Sequence, residues 1–534
     1  MLPLLLLLSP LTLHASHEVS LDLGWRMTPY QAQPCTPFLP LPHICLDISS
    51  PRTDTHSWRV DASTESQCTS AACSARSNVY SFNGTHCYIG DASMLSLNQT
   101  QCLSFSTGVR DPSAWPPASP AEASPTLDDS TWATVDLPHD AAASSPHTFP
   151  AAGGQGFRLP VAVFYRKHFA LLSDWANASL SLSLPGAATS SAWWLNGVPL
   201  SPRRDSGYLP LHLPLNASAH ALHFGPGAHN ILAGWVDNMA RTGWWEEGSG
   251  LTRGGAALVI GHPSGAALAP SGVAAPAYAV GQVHSRATPG EGVWADAAAF
   301  SPSAEVTLAE GGAVTLLWQL LAFNSTTAVL AAVNASAVLP AGGGTVAAPP
   351  GSLTLPSPAE LWSVPRPLLY QLRTQLLLGG GASALLVDQR LDAVGVRDAG
   401  WSGDSGLALN TQPLKLRGWC EHASWGGLGA ALPARVDLLR LQQLRGLGGN
   451  ALRTSHNPPT PQLLDLADRL GVLVLDENRV MANVGNVGGE EGSECGAGGC
   501  RSLPHYAGDV AQDAGALARR DRLHASVLWY SLCK

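Results

Sequence analysis

Residues 405–534 alternate between short apolar runs and longer segments in which apolar residues recur every three or four positions. The short runs read "LKLRGWC", "NALRTSH", "VLVLDE" and "SVLWYSL", and each predicts a strand. The longer segments "ARVDLLRLQQLRGLGG", "PQLLDLADRL" and "DVAQDAGALARRDR" predict helices. Strands that alternate with helices form a parallel sheet, and four such units are half of a (β/α)8 barrel.

Local signals set the ends of these helices. Leu438, Leu441 and Leu444 lie on one face of the first predicted helix, and glycines follow it. Thr460 is a good N-cap for the second helix, and Gly471 stands just beyond its last residue. We therefore expect two short helices packed on the sheet at these positions.

Polar side chains stand at the carboxyl ends of the first three predicted strands. They are Glu421 and His422, then Arg453 and His456, then Asp476 and Glu477. In a barrel the carboxyl ends of the strands meet at one face, where active sites lie. Taken singly, each residue is better explained by a structural role, for example Asp476 paired with Arg453. Taken together, three consecutive strands that end in this way predict a functional site.

The chain before the barrel segment has β-type patterns. Residues 127–262 contain short alternating runs and an Asn196-Gly197 pair between apolar residues, a strong signal for a hairpin, and we predict a β-sandwich. Residues 273–398 contain further apolar runs separated by Gly and Pro turns, and we predict a second, smaller sandwich. A chain of 534 residues is long enough for several domains.

The N-terminal part has the features of a secreted protein. Residues 1–16 are an apolar run followed by small residues, which predicts a cleaved signal peptide; the run is shorter than the ~20 apolar residues of a membrane anchor. Potential glycosylation sites occur at Asn83, Asn98, Asn177, Asn216, Asn324 and Asn334. We expect a secreted, vacuolar or lysosome-like location.

Cysteines are concentrated in residues 30–105, which we interpret as a disulfide module whose pairing and role the sequence leaves open. They are Cys35, Cys45, Cys68, Cys73, Cys87 and Cys102. Residues 106–126 are rich in Pro, Ala and Ser and predict a linker. The net charge of −9 is spread along the chain without a basic cluster, which argues against a nucleic-acid partner.

The barrel motifs carry a family resemblance. "LRGWCEHASWGGLGAALP", "GGNALRTSHNPPTPQLLDLADRLGVLVLDE" and "RDRLHASVLWYSL" resemble glycoside hydrolase family 2, the group of β-galactosidases, β-glucuronidases and β-mannosidases. "DDSTWATVDLPHD", "VFYRKHFAL" and "VDNMARTGWWEEGSGLTR" are similar to its sugar-binding domain. The resemblance covers about residues 126–534. It implies a jelly-roll-like sugar-binding sandwich, an immunoglobulin-like sandwich and the first half of a TIM barrel. The Cys-rich module precedes these domains and lies outside the resemblance.

The resemblance also implies roles for single residues. His422 and His456 are similar to the histidines that contact sugar hydroxyls in the family, and Arg453 to the arginine that supports the nucleophile. Asp476 and Glu477 match the acidic pair that shapes the site. Where the magnesium-dependent β-galactosidases place metal ligands, this chain has "NRVMAN", so we predict no metal there and no cofactor.

Both catalytic carboxylates of a retaining glycosidase are expected beyond Lys534. In the family the acid/base glutamate follows an Asn just after the fourth strand, and Lys534 stands where that Asn would be. We therefore expect a hydrolase of the β-galactosidase type, acting on β-linked oligosaccharides or glycoconjugates, whose printed chain is truncated within the barrel and inactive alone. The alternative is a secreted sugar-binding protein without activity. The sugar and the oligomeric state stay open.

Overall fold

The computed structural model describes residues 17–29, 119–143, 158, 161–238, 246–285, 292–379, 384–479 and 506–532, and the backbone of seven short strands between residues 38 and 110. The predicted signal peptide, the sequons at Asn83 and Asn98 and the Gly-rich segment 485–499 lie outside the described residues. No helix in the described part of the chain is both long and apolar enough to cross a membrane.

The first sandwich draws its strands from two stretches of the chain. Residues 17–29 contribute β1 (His17–Ser20) and β2 (Trp25–Pro29). Seven strands follow: β3 (Phe38–Pro40), β4 (Cys45–Leu46), β5 (Ser57–Asp61), β6 (Val79–Phe82), β7 (His86–Gly90), β8 (Leu95–Ser96) and β9 (Ser106–Arg110). The sandwich continues with β10 (Ala133–Val135), β11 (Ala162–Phe169), β12 (Ser179–Leu184), β13 (Ser190–Leu195), β14 (Val198–Arg204), β15 (Leu211–Leu215), β16 (Asn230–Asp237) and β17 (Ala257–Gly261).

Two sheets face each other across this sandwich. One has the order β1-β17-β12-β15 and the other β10-β2-β11-β16-β13-β14. Alternate residues of facing strands, such as Leu182 and Val163, are buried in one apolar cluster, as expected where side chains alternate between the faces of a strand. The Asn196-Gly197 hairpin is confirmed: it joins β13 to β14, and both residues have positive φ, 52° and 83°, as a type I′ turn requires.

The sandwich begins earlier in the chain than the predicted residue 127. β1 pairs with β17, and β2 pairs with β10 and β11. Trp25 is fully buried and meets the rings of Tyr165 and Trp193 edge to face, at 6.4 and 6.5 Å. The Cys-rich segment therefore lies between two strands of the sandwich, and it forms a sheet of its own with the order β3-β9-β6-β7-β5. Its disulfides stay a prediction, because the cysteine side chains lie outside the described residues.

The structure corrects the predicted linker, 106–126, at both of its ends. Ser106–Arg110 is strand β9, and residues 119–126 pack on the first sandwich. Arg166, which is fully buried, donates hydrogen bonds to the carbonyls of Glu122 (2.5 Å) and Ser124 (2.9 Å) and pairs with Asp129 at 2.7 Å. A Pro-rich segment without an apolar pattern is held here because a buried guanidinium needs acceptors, which backbone carbonyls supply.

The second sandwich consists of shorter and longer antiparallel strands around one apolar cluster. Its strands are β18 (Ala267–Leu268), β19 (Ala277–Ser285), β20 (Val293–Phe300), β21 (Ser303–Thr307), β22 (Gly312–Ala322), β23 (Val329–Leu339), β24 (Gly344–Ala347), β25 (Leu353–Leu355), β26 (Ala359–Leu361), β27 (Tyr370–Leu378) and β28 (Leu385–Val394). The sheet β23-β22-β27-β28 faces β19, β20, β25 and β26 across this core, in which Trp318 is fully buried. A small sheet of β29 (Ala399–Ser402), β30 (Gly406–Leu409) and β31 (Gln412–Pro413) follows.

The last part of the chain is the predicted alternation of strands and helices. The elements are β32 (Gly418–His422), α1 (Ala434–Gly446), β33 (Ala451–Ser455), α2 (Pro461–Leu470), β34 (Leu473–Glu477), α3 (Tyr506–Asp521) and β35 (Val527–Ser531). The four strands form a parallel sheet in sequence order. Thr460 caps α2 by accepting from the Leu463 amide at 3.2 Å, and Gly471 ends the helix with φ 68°. The capping prediction is confirmed.

Candidate functional site

The two faces of the parallel sheet meet different neighbours. Leu452 and Val474 lie side by side in neighbouring strands and pack into the apolar cluster of α1 and α2. Ala451 and Leu473, on the opposite face, pack towards Trp362 of the second sandwich. Because side chains alternate along a strand, every residue of β33 and β34 can be assigned to the helix face or to the barrel interior.

Glu477 is the centre of the group at the carboxyl end of the sheet. It lies on the interior face of the sheet and is fully buried. One carboxylate oxygen accepts a hydrogen bond from Nδ1 of His456 at 2.5 Å. The other oxygen accepts hydrogen bonds from Nε and Nη2 of Arg453, each at 2.6 Å. Its backbone amide donates to Thr454 Oγ1 at 2.9 Å. Burial alone would raise the pKa of Glu477, but the hydrogen bonds and charges of His456 and Arg453 outweigh burial and lower it.

His422 completes this group. Its ring lies edge to face against that of His456, with ring centroids 5.4 Å apart. Its carbonyl accepts from Arg440 of α1 at 3.2 Å, and Arg440 also donates to the carbonyl of Ser424. The structure thus brings together four of the five predicted site residues, His422, Arg453, His456 and Glu477, which we call the histidine–glutamate cluster.

Asp476 lies elsewhere. It occupies the helix face with Val474, is fully buried, and lies against Asp521 near Arg520 of α3. Burial, and next the negative charge of Asp521, raise the pKa of Asp476, so it carries its proton at neutral pH. Asp476 and Glu477, predicted to shape the site together, lie on opposite faces of the sheet because consecutive strand residues point to opposite sides.

Glu421 also faces the helices. It pairs with Arg440 at 2.8 Å and accepts from Trp419 Nε1 at 3.3 Å. Its negative charge, after burial, contributes to raising the pKa of Asp437 in α1 to about 6. These two carboxyl groups border a cavity between the first sandwich and the sheet, which His422 and Asn457 also line.

Sequence reasoning missed several residues around the cluster. Thr454 supports the Glu477 backbone, and Asn457 is buried beside His456. Asp140 and Arg253 of the first sandwich contact the loops that follow β32 and β33. Thr454 and Asn457 flank the predicted histidine and could have been proposed from position alone. Nothing local marks Asp140 or Arg253. Trp244 and Trp245, which stand in the motif "VDNMARTGWWEEGSGLTR", lie outside the described residues.

Within residues that the structure describes, no group of three or more His, Cys, Asp or Glu side chains is arranged to hold a metal ion. Cys420 is a free cysteine in the described part of the chain, and its Sγ lies 3.7 Å from Nη1 of Arg453.

The fold and the cluster define a class of protein: β-sandwiches followed by a parallel barrel sheet with a buried His–Glu–Arg group at its carboxyl edge. Residues 403–534 match the family model described as "Glycosyl hydrolases family 2, TIM barrel domain". Residues 403–534 are therefore similar to the barrel domain of this family, and the resemblance found in the sequence is confirmed. The description as a multidomain, β-rich chain with a TIM-barrel domain is confirmed with it.

Relatives with two different activities in their names are similar to this chain. Beta-galactosidase BoGH2A of Bacteroides ovatus is 28% identical over 365 residues, which are 66% of this chain and 39% of that protein. A beta-glucuronidase of Formosa agariphila is 25% identical over 369 residues, 65% of this chain and 35% of that protein. The chain thus spans less than two fifths of the length of each.

Solved structures of glycosidases are also similar to this chain. The crystal structure of a glycosyl hydrolase family 2 member from Bacteroides cellulosilyticus superposes with a TM-score of 0.64 and 25% identity, covering 77% of this chain and 49% of that one. A beta-glycosidase from Bacteroides vulgatus superposes with a TM-score of 0.63 and 25% identity, over 77% of this chain and 47% of its own.

Proposed function

We propose that this chain provides the sugar-binding half of a retaining β-glycosidase of the β-galactosidase type. The observation that carries the proposal is the histidine–glutamate cluster at the carboxyl edge of the sheet, inside the segment that matches the family model. In barrel enzymes this edge is where substrates bind. The family resemblance supports the two sandwiches as a jelly-roll-like sugar-binding domain and an immunoglobulin-like domain.

His456 is suited to bind a sugar hydroxyl in a defined orientation. Because the pKa of Glu477 is lowered, its carboxylate is ionised and only accepts, so Nδ1 of His456 carries the proton between them. In the neutral ring Nε2 then holds the lone pair and accepts a hydrogen bond. A carboxylate that sets the tautomer of a histidine is a common means of orienting it.

A neutral sugar fits the cluster better than a glucuronide. Arg453 directs both Nε and Nη2 to Glu477, so its charge is already balanced within the cluster. A uronic acid would add a carboxylate next to Glu477 and would need a further cation. We therefore propose a β-galactoside as substrate, in agreement with the resemblance of "GLGAALP" to the β-galactosidase branch.

Hydrolysis needs two carboxyl groups about 5 Å apart on either side of the glycosidic bond. Among the described strand ends, Glu477 is held by Arg453 and His456, whereas Asp476 and Glu421 face the helices. We propose that these groups do not cleave the substrate and that the chain of 534 residues binds sugar without turnover.

We also propose that the protein enters the secretory pathway. What supports this is the predicted signal peptide together with the position of the sequons in the described part of the chain. Asn177, Asn216, Asn324 and Asn334 are all exposed, so a glycan on each is compatible with the fold.

Binding can be tested with the 534-residue protein and two ligands that resist hydrolysis. The first is isopropyl 1-thio-β-D-galactoside, and the second, for comparison, is phenyl 1-thio-β-D-glucuronide. Calorimetry should detect the galactoside, with affinity reduced about tenfold or more in His456→Ala, since a lost hydrogen bond to a bound hydroxyl is worth roughly 1–2 kcal/mol. The control is His284→Ala, which removes a histidine that pairs with Asp296 away from the cluster. This variant should bind the galactoside with the affinity of wild type.

The outcome that rejects the proposal is equal binding of both ligands by wild type and His456→Ala, or no binding at all. Hydrolysis of p-nitrophenyl β-galactoside by the printed chain would reject the separate proposal that it binds without turnover.

A further inference from the structure

Two buried side chains of the first sandwich each contact a loop that follows a strand of the histidine–glutamate cluster. Asp140 is 4% exposed, and its Oδ2 accepts from the amide of Ala430, in the loop after β32, at 2.9 Å. Its Oδ1 accepts from the amides of Ala142 and Ser249 of its own sandwich, each at 2.9 Å. One carboxylate therefore joins the two domains through backbone amides.

Arg253 forms the second contact. It is buried, donates to the carbonyl of Pro459 at 2.7 Å, and also donates to the carbonyl of Pro458. Arg520 of α3 donates to the same Pro459 carbonyl at 2.8 Å. Pro458 lies two residues after His456, so guanidinium groups from two different domains hold the chain that carries this histidine.

Close packing leaves little freedom at either contact. A Cβ at Gly429 would lie 2.2 Å from Oδ2 of Asp140, and one at Gly248 would lie 2.8 Å from it. A Cβ at Gly186 would lie 2.9 Å from Cδ of Arg253. Real Cβ atoms do not approach neighbours this closely, so glycine is required for the sandwich to reach these loops.

We propose that Asp140 and Arg253 are positioning residues, through which the first sandwich sets the positions of His422 and His456 for the sugar. The inference rests on the proposed sugar-binding function of the cluster. Its physical basis is that binding groups on loops reach defined positions only when neighbouring groups fix their backbone. The sandwich would then contribute to affinity without touching the sugar.

Arg253→Met tests this inference, with Arg522→Met as the matched control. Arg522 also joins domains by donating to backbone carbonyls, those of Val273 at 2.9 Å and Ser271 at 3.0 Å, but it does not contact the loop of His456. The melting temperature should fall further in Arg253→Met than in Arg522→Met, because Arg253 is buried and Arg522 is exposed. The proton between His456 Nδ1 and Glu477, observed by NMR in histidine-labelled protein, should shift or broaden in Arg253→Met alone.

Affinity for isopropyl 1-thio-β-D-galactoside should fall about tenfold or more in Arg253→Met, the scale of loss expected from a binding group displaced by a fraction of an ångström. Asp140→Asn should change the ring signals of His422 more than those of His456. If Arg253→Met does not fold, Arg253→Lys keeps the charge but cannot span both carbonyls, and it should show the same NMR change.

An unchanged His456 signal and unchanged affinity in a folded Arg253 variant would overturn the inference. If wild type binds no galactoside, the proposed function fails, and the NMR signal still decides whether Arg253 positions His456. The two failures are therefore distinguishable.

Discussion

Oε1 of Glu477 accepts a hydrogen bond from Nδ1 of His456 at 2.5 Å, while the other oxygen of the same carboxylate binds Arg453. The carboxylate joins a residue at the end of one strand to residues of the strand beside it. It is fully buried, so its charge depends on these two partners. This relation makes Glu477 a structural centre of the site and gives the first two predictions.

Glu477→Gln should destabilise the barrel segment and alter His456. The substitution leaves Arg453 without its counter-charge, and we expect the free energy of unfolding to fall by about 2–4 kcal/mol. The loss is smaller than for a fully buried arginine because the Arg453 side chain is partly exposed. Urea unfolding followed by circular dichroism measures it. Glu421→Gln, which breaks a pair on the opposite face of the same sheet, should leave the NMR signal of His456 unchanged. A variant at Glu477 with wild-type signals would contradict this account.

The Glu477 carboxylate should also make the free energy of unfolding depend on pH in the acidic range. Its pKa is lowered in the folded state, so its contribution is fully present above the ordinary pKa of glutamate and is lost as the pH falls through the folded value. The difference in urea midpoint between wild type and Glu477→Gln should therefore shrink as the pH is lowered from 7 towards 3. A difference that stays constant over this range would mean that the pKa of Glu477 is not lowered.

Asp437→Asn should stabilise the protein at neutral pH. Burial and then the charge of Glu421 raise the pKa of Asp437 to about 6, so between its ordinary value and this one the folded state binds a proton that the unfolded state lacks. Stability falls as the pH rises through this window, and the ionised group then costs about 1–3 kcal/mol. Asparagine removes that cost. Thermal unfolding should place Asp437→Asn above wild type at pH 7.5 and equal to it near pH 4.

Asp404→Asn, which replaces an exposed carboxyl group, provides the control for this measurement. A loss of stability at pH 7.5 in Asp437→Asn would contradict the raised pKa.

Asp476→Asn should be tolerated. The carboxyl group is protonated at neutral pH because burial and Asp521 raise its pKa, so a neutral amide of similar shape should change the free energy of unfolding by about 1 kcal/mol or less. Asp521→Asn should cost more, about 3–5 kcal/mol, since Asp521 is the charge partner of Arg520 through two bonds of 2.6 Å. Equal losses in the two variants, measured by urea unfolding, would show that Asp476 is ionised.

Trp25→Ala tests whether residues 17–29 belong to the first sandwich. The side chain is fully buried against Tyr165 and Trp193, and its loss should cost about 3–5 kcal/mol. Trp401→Ala removes a tryptophan that is 70% exposed and should cost about 0.5 kcal/mol or less. Calorimetry gives the melting temperatures of the two variants. Equal melting temperatures would show that Trp25 is not part of the core.

Short-range features followed from the sequence. Thr460 and Gly471 mark the ends of α2, and Asn196-Gly197 marks a hairpin, because capping and turn formation depend on a few neighbouring residues. The barrel sheet was also predictable, since its strands and helices alternate in sequence order. That polar residues gather at its carboxyl edge follows from the parallel arrangement alone.

The division of Asp476 and Glu477 between opposite faces was decided by tertiary structure. All residues from 472 to 475 are apolar, so the sequence of β34 carries no alternation that tells its helix face from its interior. Packing of Val474 against the helices settles it. The same holds for the contacts of Trp25 with Tyr165, of Asp140 with Ala430 and of Arg253 with Pro459, each of which joins residues more than a hundred positions apart in sequence. Sequence determined what depends on neighbouring residues; contacts between distant segments depend on how whole domains pack, and only the folded chain specifies them.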